Sequence, residues 1–217
     1  MGHSGLQSSK PSILPFYFCQ LAAYRDKSPA PDACGTWPAL RDAQSHALTL
    51  PGTGMAVLTD AGEARDIHPL DKRTPGTRLA KLALQQIYGQ NIAVESPTAL
   101  HAQKNNHTVT VQFSGCQSGL TVHALPEYHY LKRSGNQRKK LLRNSQAAQV
   151  EGFALAGADG KWYWADRAEI SGDRSVTVSS DRVADPVKIR FGWMDNPTVN
   201  LYNRAGFPAI PFELSVK

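Results

Sequence analysis

The sequence predicts an α+β protein: a truncated parallel α/β unit of two strands and two helices, packed on an antiparallel β-sandwich-like domain. In residues 13–90, short apolar runs alternate with stretches whose leucines and alanines recur at helical spacing. From Gln90 the pattern changes to short β-branched or aromatic segments separated by Gly, Asn, Asp and Pro. These patterns place the α/β unit at residues 13–90 and the β domain at 91–196. Residues 1–12 are predicted to be disordered, and residues 197–217 to wrap back on the α/β unit.

The α/β unit begins with an aromatic-rich strand within residues 13–22. Thr36 is placed to cap a helix that begins near Trp37, where a proline in the first turn is favourable. The short apolar run at residues 55–59 predicts a second, buried strand, and residues 75–88 predict a second helix. The apolar residues of the first helix fall near one face, which we expect to be the buried one: Trp37, Leu40, Ala43, Ala47 and Leu48.

A parallel sheet of only two strands leaves backbone groups unpaired at its edges. Parallel sheets are normally covered on both faces and flanked by neighbouring strands. An exposed strand edge can pair with another chain. We therefore expect a homo-oligomer in which one protomer helps to cover the exposed edge of another.

The β domain is predicted from five short segments and the turns between them. Asp159-Gly160 is typical of a tight turn between two strands. The C-terminal residues from Pro197 contain many Pro and Asn residues, so regular structure is not expected there. The predicted strand segments are residues 109–113, 120–125, 152–156, 176–178 and 187–193.

Composition and charge argue against a nucleic-acid or membrane partner. The chain has a formal net charge of +6, and residues 132–143 carry six Lys or Arg residues. Nucleic-acid binding would call for aromatic stacking platforms or a known module beside these charges, and neither is evident. A solvated, mobile loop is the expected structure of this segment. No run approaches the roughly 20 apolar residues that cross a bilayer.

The cysteine content and the N-terminal residues indicate in which cellular compartment the chain is expected. The three cysteines, Cys19, Cys34 and Cys116, are too few for a disulfide framework, although one Cys19–Cys34 bridge stays open. Cys19 lies in the apolar first strand and is expected to be a buried thiol. Residues 1–11 lack the apolar core of a signal peptide. These features favour a cytoplasmic location for the chain as expressed.

The loop between the second strand and the second helix contains Asp66 and His68, two residues apart. Loops at the carboxyl ends of parallel strands carry the chemistry of α/β enzymes. A carboxylate beside an imidazole can hold the ring in one tautomer and stabilise its protonated form. His68 and Asp66 are therefore the candidate catalytic residues. The alternative is an ordinary loop in which Asp66 makes a turn hydrogen bond.

The amino-acid sequence around Asp66 and His68 resembles that of a known family. Residues 66–84, DIHPLDKRTPGTRLAKLAL, look like the last catalytic block of the SGNH-hydrolase sialate O-acetylesterases and related carbohydrate acetylesterases. The similarity continues in the family's order from about Leu14 to Phe212. Its other segments are residues 14–22 (LPFYFCQLA), 37–44 (WPALRDAQ), 152–161 (GFALAGADGK), 193–197 (WMDNP), 200–203 (NLYN) and 206–212 (GFPAIPF).

The resemblance implies a hydrolase of carbohydrate esters and a chain that corresponds to the C-terminal part of such an enzyme. The family's nucleophilic serine lies in an early Gly-Gln-Ser-Asn block, which does not occur in this sequence. Gly2-His3-Ser4-Gly5 is not preceded by a strand, so it does not predict a nucleophile elbow. The resemblance also implies that parent enzymes are often exported.

Two further functions stay open at this stage. A divalent metal, zinc or calcium, could activate water and polarise a carbonyl or phosphoryl oxygen in place of the missing serine. The candidate ligands are His68, Asp66, His123 and His129, although His123 lies in an apolar stretch and is expected in the core. Such an enzyme would cleave activated esters or phosphoesters. The third possibility is a non-catalytic protein whose β domain binds carbohydrate, with Trp162 and Trp164 stacking on sugar rings.

Overall fold

The computed structural model describes residues 13–123 and 149–217, together with the backbone of strands 128–131 and 138–141. The predicted disordered segment, residues 1–12, lies outside the described residues. Within these ranges the protein combines two α-helices with several sheets, most of them antiparallel, which confirms the α+β class. None of the described helices has the length and apolar character needed to cross a membrane.

The N-terminal part alternates strands and helices. β1 and β3 are parallel neighbours, with Phe16 opposite Thr53 and Cys19 opposite Ala56. β2 and β4 form a second, very short parallel pair. Its elements are β1 (Phe16–Cys19), β2 (Ala23–Tyr24), α1 (Trp37–His46), a 3₁₀ turn (Ala47–Thr49), β3 (Thr53–Ala56), β4 (Gly62–Glu63) and α2 (Arg73–Gln86).

The pairing of β2 with β4 depends on a glycine. Gly62 has a φ of +151°, which L side chains rarely adopt. A Cβ atom at this position would lie 2.1 Å from the carbonyl oxygen of Ala23. The absence of a side chain therefore lets the chain after β3 approach the chain after β1.

The remaining strands are antiparallel. Two four-stranded sheets have the orders β11-β10-β14-β16 and β12-β13-β6-β5, while β7 pairs with β15 and β8 with β9. The strands are β5 (Thr98–Asn105), β6 (Thr108–Ser114), β7 (Leu120–Val122), β8 (Tyr128–Leu131), β9 (Arg138–Leu141), β10 (Phe153–Ala156), β11 (Trp162–Trp164), β12 (Arg167–Gly172), β13 (Ser175–Ser179), β14 (Lys188–Phe191), β15 (Leu201–Asn203) and β16 (Phe212–Ser215).

One hydrophobic core lies between the two four-stranded sheets. Val109 and Val111 of β6 and Val176 of β13 are fully buried from one sheet, and Leu155 and Ile189 are fully buried from the other. β6 and β13 alternate buried and half-buried residues, as expected for strands that cover one face of a core. Burial of each such side chain contributes about 1.5–3 kcal/mol. This core accounts for most of the buried apolar residues in the part of the chain that the structure describes.

The buried face of α1 differs from the expected one. The helix begins at Trp37 as predicted, but Leu40 is 53% exposed whereas Arg41 is fully buried. The guanidinium of Arg41 donates hydrogen bonds to the carbonyl oxygens of Leu21 (2.8 Å), Ala22 (2.9 Å), Met194 (2.5 Å) and Asp195 (2.9 Å). Arg41 thus joins the chain after β1 to the chain after β14. Burial lowers the pKa of Arg41 to about 10, an effect that the charge of Asp195 opposes.

The C-terminal residues also differ from expectation, because they contain regular structure. β15 pairs with β7, and β16 completes a four-stranded sheet beside β14. The segment between these strands contacts the α/β elements. Ile210 packs with Met55 and Val57, and Phe207 packs with Leu82 of α2.

Two smaller expectations are corrected: the loop at residues 138–141 and the burial of Cys19. Residues 138–141 form a strand paired with 128–131, so this part of the basic segment is not a loop. The rest of that segment lies outside the described residues. All three cysteines are free thiols, so no Cys19–Cys34 bridge is present, and Cys19 is exposed. Among the described residues, strand β1 pairs only with β3. The backbone groups along its other edge therefore have no strand partner.

Replacing Arg41 by lysine tests the polar junction. Lysine keeps the positive charge but cannot present the planar fork that reaches four carbonyl oxygens at once. Because buried carbonyl groups would lose their partners, we expect the free energy of unfolding to fall by about 2–4 kcal/mol in urea denaturation. The matched control is Arg167→Lys on the exposed surface of β12, for which we expect less than about 0.5 kcal/mol. Equal losses in the two variants would contradict the role of Arg41.

Candidate active site

The loop that carries Asp66 and His68 starts in the protein interior and ends at the surface. Val57, Thr59 and Asp60, which follow β3, are buried. From Arg65 to His68 the chain is exposed. The loop then returns to α2, which starts at Arg73. The candidate residues therefore project from a loop whose first part is held within the protein.

Asp60 fixes the buried start of this loop. Its carboxylate accepts hydrogen bonds from Nη1 (2.7 Å) and Nη2 (2.6 Å) of Arg78 on α2, and from the hydroxyl of Tyr202 on β15 (2.8 Å). Arg78 also donates to the carbonyl oxygen of Val57 at 2.5 Å. The side chains of Asp60 and Arg78 are only 4% and 10% exposed. One bidentate ion pair thus links the end of β3, the helix that follows the loop, and the C-terminal chain.

Glu63 shapes the middle of the loop. It is 3% exposed, and its Oε1 atom accepts a hydrogen bond from the backbone N–H of Leu70 at 2.8 Å. This bond closes the loop around the candidate residues. An isolated antiparallel bridge between Glu63 and Asp66 adds to the closure. Within the described part of the chain, the other oxygen of Glu63 is buried without a hydrogen-bond partner.

Asp66 contacts the backbone of His68 and not its imidazole ring. Oδ1 of Asp66 accepts a hydrogen bond from the backbone N–H of His68 at 2.8 Å, which is the turn bond that the sequence left open as the alternative. Both side chains are exposed. Among the described residues, no hydrogen bond to the His68 ring is present. The turn therefore holds the backbone of His68 in place, while its imidazole is accessible to solvent.

The start of α2 completes the loop. Oδ1 of Asp71 accepts hydrogen bonds from the backbone N–H groups of Arg73 (3.1 Å) and Thr74 (3.0 Å). These groups have no partner within the helix itself, and a carboxylate at this end also interacts favourably with the helix dipole. Asp71 thus fixes the point at which the loop enters α2.

The predicted metal ligands are not brought together in the described residues. No three His, Cys, Asp or Glu side chains of residues 13–123 and 149–217 lie close enough to hold an ion. His123 is exposed instead of lying in the core, and its ring lies 5.1 Å from that of Tyr202 between centroids. The side chain of His129 lies outside the described residues.

Sequence reasoning missed the buried polar residues that organise the loop. The sequence does not mark Asp60 or Glu63 as functional, although Asp60 directly follows the apolar run at residues 55–59. Their partners come from distant parts of the chain: Arg78 is 18 residues and Tyr202 is 142 residues from Asp60. A charged residue within the apolar pattern of α2, as Arg78 is, was the available signal.

A solved structure is similar to this chain in sequence and in fold. The chain is similar to a carbohydrate acetylesterase. That enzyme, from Xanthomonas citri, shares 37% sequence identity over 92% of this chain, with a TM-score of 0.72. The likeness supports a relationship to carbohydrate esterases. This chain spans 40% of the length of that enzyme. No protein-family model and no curated protein matches the chain.

Removal of the Tyr202 hydroxyl tests how the loop is anchored. In Tyr202→Phe, Asp60 loses one of its charge-assisted hydrogen bonds, so we expect the free energy of unfolding to fall by about 1.5–3 kcal/mol. Tyr17→Phe is a matched control, because the Tyr17 hydroxyl is buried without a hydrogen-bond partner among the described residues. Its loss should leave stability unchanged or slightly raised. A larger loss in Tyr17→Phe than in Tyr202→Phe in urea denaturation would contradict this account.

Proposed function

We propose that this chain belongs to a hydrolase of carbohydrate O-acetyl esters and carries its histidine. The observation that supports the proposal most strongly is the 37% identity to a carbohydrate acetylesterase along nearly the whole of this chain. The position of His68, after a strand of a parallel pair, is typical of the catalytic loops of α/β enzymes. A sugar acetate is therefore the proposed class of substrate.

In this proposal His68 is the general base. Its exposed imidazole can take a proton from a hydroxyl or a water molecule that attacks the ester carbonyl. The ring becomes an imidazolium, and the negative charge of Asp66 at the same turn stabilises it. Glu63 and Asp71 hold the two ends of the loop, so that His68 presents its ring from a fixed backbone.

The nucleophile of the proposed SGNH-type mechanism is a serine outside these 217 residues, because the sequence has no Gly-Gln-Ser-Asn block. Without that serine, His68 can still activate water. Such a reaction would be slow, since loss of a single oxyanion-hole donor alone costs a factor of about 10²–10³ in rate. We therefore expect weak ester hydrolysis by this chain.

Hydrolysis of p-nitrophenyl acetate tests the role of His68. We expect His68→Ala to lower kcat/KM by a factor of about 10² or more, because general base catalysis is lost. His101→Ala is the matched control, since His101 is also exposed but lies on β5. It should keep the rate of the unaltered protein.

Two further measurements separate the mechanisms. Asp66→Asn keeps an oxygen that can accept the turn hydrogen bond but removes the charge, so we expect a smaller loss than in His68→Ala. Activity that persists in excess EDTA supports a metal-free reaction, whereas activity lost in EDTA would favour the metal-dependent alternative. Equal rates for His68→Ala and His101→Ala would overturn the proposal.

We also infer that the chain forms a homo-oligomer through its α/β elements. Of the twelve exposed large hydrophobic side chains of the described residues, ten lie between Ile13 and Tyr88. Leu14 is 88% and Phe16 is 65% exposed, at the start of strand β1. A second copy of the chain would remove this apolar surface from water and cover the open edge of β1.

Light scattering at micromolar concentration tests this association. We expect a mass of at least two protomers for the unaltered chain, and a shift towards the monomer in Leu14→Asp, because a charge is placed in the apolar contact. Leu100→Asp is the matched control, since Leu100 is also exposed, at 59%, but lies on β5. A stable monomer of the unaltered protein would refute the inference.

A further inference from the structure

The edge of strand β1 that faces away from β3, here called the free edge, is closed at its carboxyl end by a side chain of α1. The side-chain amide nitrogen of Gln44 donates to the carbonyl oxygen of Cys19 at 3.1 Å, and Oε1 of Gln44 accepts from the backbone N–H of Leu21 at 2.9 Å. A neighbouring strand would use the same acceptor and donor. A strand added to the free edge can therefore pair only with the groups that precede the carbonyl group of Cys19.

The bonds between β1 and β3 show which groups those are. The N–H groups of Phe16 and Gln20 donate to carbonyl oxygens on the β3 side, at 2.8 and 2.9 Å. Alternate residues of a strand direct their backbone groups to the same neighbour, so the odd-numbered residues of β1 face the free edge. Among the described residues, no hydrogen bond is present at the carbonyl oxygen of Pro15, at either backbone group of Tyr17, or at the N–H of Cys19.

These four groups are complementary to the same edge of a second copy in the antiparallel direction. In an antiparallel ladder, two residues of a hydrogen-bonded pair exchange both of their N–H···O bonds. A two-fold axis at Tyr17 places it opposite Tyr17 of the partner subunit, so the donor and the acceptor of each are paired. Cys19 then lies opposite Pro15 of the partner subunit and donates to its carbonyl oxygen. All four groups of each copy thereby gain a partner.

The pair of Cys19 and Pro15 is what favours a second copy over an unrelated strand. Proline has no N–H to donate. The acceptor that such an N–H would need, the carbonyl oxygen of Cys19, is already bonded to Gln44. A strand without proline at this position would bring an N–H group that finds no acceptor, which is unfavourable once water is excluded.

Other antiparallel registers leave a group of Tyr17 unpaired. Because only odd-numbered residues face the free edge, the register changes in steps of two residues. In one direction Tyr17 meets Pro15 of the partner subunit, which cannot donate to its carbonyl oxygen. In the other direction Tyr17 meets Cys19 of the partner subunit, whose carbonyl oxygen is occupied. The register centred on Tyr17 is therefore the favoured one.

The side chains agree with this register. Phe16 comes to lie opposite Phe18 of the partner subunit, in a non-hydrogen-bonded pair whose side chains are close together. Phe16 is largely exposed, and its ring centroid lies 6.1 Å from that of Phe18 in the same chain. The two-fold axis thus brings four aromatic rings together and removes apolar surface from water.

We propose that two copies of this chain pair through β1 in the antiparallel direction, with Tyr17 at the two-fold axis, to form one four-stranded sheet of order β3-β1-β1-β3. The proposal rests on the homo-oligomer inferred above, and it assigns that oligomer a contact edge, a direction and a register. The loop of His68 follows the carboxyl end of β3. The two His68 loops therefore lie at opposite ends of the combined sheet.

Disulfide trapping in the full chain tests the register. Phe16→Cys and Phe18→Cys are made separately in a background whose three native cysteines are replaced by alanine. After the two variants have been mixed and have exchanged subunits, we expect a covalent dimer to form about tenfold faster than in either variant alone, because opposite non-hydrogen-bonded positions suit a disulfide. Leu100→Cys, exposed on β5, is the matched control for random collisions. Thermal unfolding verifies that each variant is folded.

The single variants report the other registers. Rapid crosslinking of Phe16→Cys alone would mean that Tyr17 lies opposite Pro15 of the partner subunit. Rapid crosslinking of Phe18→Cys alone would mean that Tyr17 lies opposite Cys19 of the partner subunit. Either result would overturn the proposed register.

A cycle of two substitutions tests the match between proline and the occupied carbonyl group. Pro15→Ala brings an N–H to the bonded oxygen of Cys19, so we expect the Kd of the dimer to rise about tenfold in analytical ultracentrifugation. Gln44→Ala frees that oxygen, so the double variant Pro15→Ala/Gln44→Ala should dimerise more tightly than Pro15→Ala. Pro29→Ala, exposed in the loop after β2, is the matched control and should keep the Kd of the unaltered chain.

The outcomes separate the register from the association itself. A monomer of the unaltered chain would overturn both this proposal and the inferred homo-oligomer. The register alone is overturned by a dimer in which the mixed variants crosslink no faster than Leu100→Cys, or in which Pro15→Ala leaves the Kd unchanged. None of these measurements uses ester hydrolysis, so they are independent of the role proposed for His68.

Discussion

The ion pair between Asp60 and Arg78 is the contact on which the geometry of the candidate site depends. Removing two charges from water is costly, and their mutual attraction offsets that cost only when the remaining lone pairs and donors are also satisfied. Here Tyr202 and the carbonyl oxygen of Val57 provide those extra partners. Breaking the pair would leave a charge buried at the end of β3. The chain that emerges from this point carries Glu63, whose bond to Leu70 closes the loop, and then His68. The position of the imidazole therefore follows from a contact made far from its own ring.

A second polar contact joins the two parts of the molecule. Arg41 reaches a carbonyl oxygen after β1, 19 residues before it in the chain, and one after β14, 153 residues beyond it. Apolar contacts at Ile210 and Phe207 support the same junction, but each involves few residues. The large core lies between the sheets of the β domain. Directional bonds specify which segments meet more strictly than apolar burial does, because each donor must find one acceptor.

The proposed base and the large hydrophobic core lie in different parts of the molecule. The exposed loop after β3 carries His68, the proposed base, on an α/β unit with open edges and many exposed apolar side chains. The large core lies between the two four-stranded sheets, where the fully buried apolar side chains cluster.

Local patterns in the sequence determined the class of some elements but not of all: the C-terminal strands β15 and β16 were not expected. The alternation in β6 and β13, the proline near the start of α1 and the polar loop after the β3 run each report on neighbouring residues, so they predicted strands, a helix and the position of the candidate loop. The tertiary structure decided which polar groups are buried and what they bind. Arg41 lies inside while Leu40 lies outside, His123 is exposed, and Asp66 bonds a backbone N–H instead of a ring. The reason is that the partners of Arg41, Asp60 and Asn196 come from up to 171 residues away, and no local period carries that information.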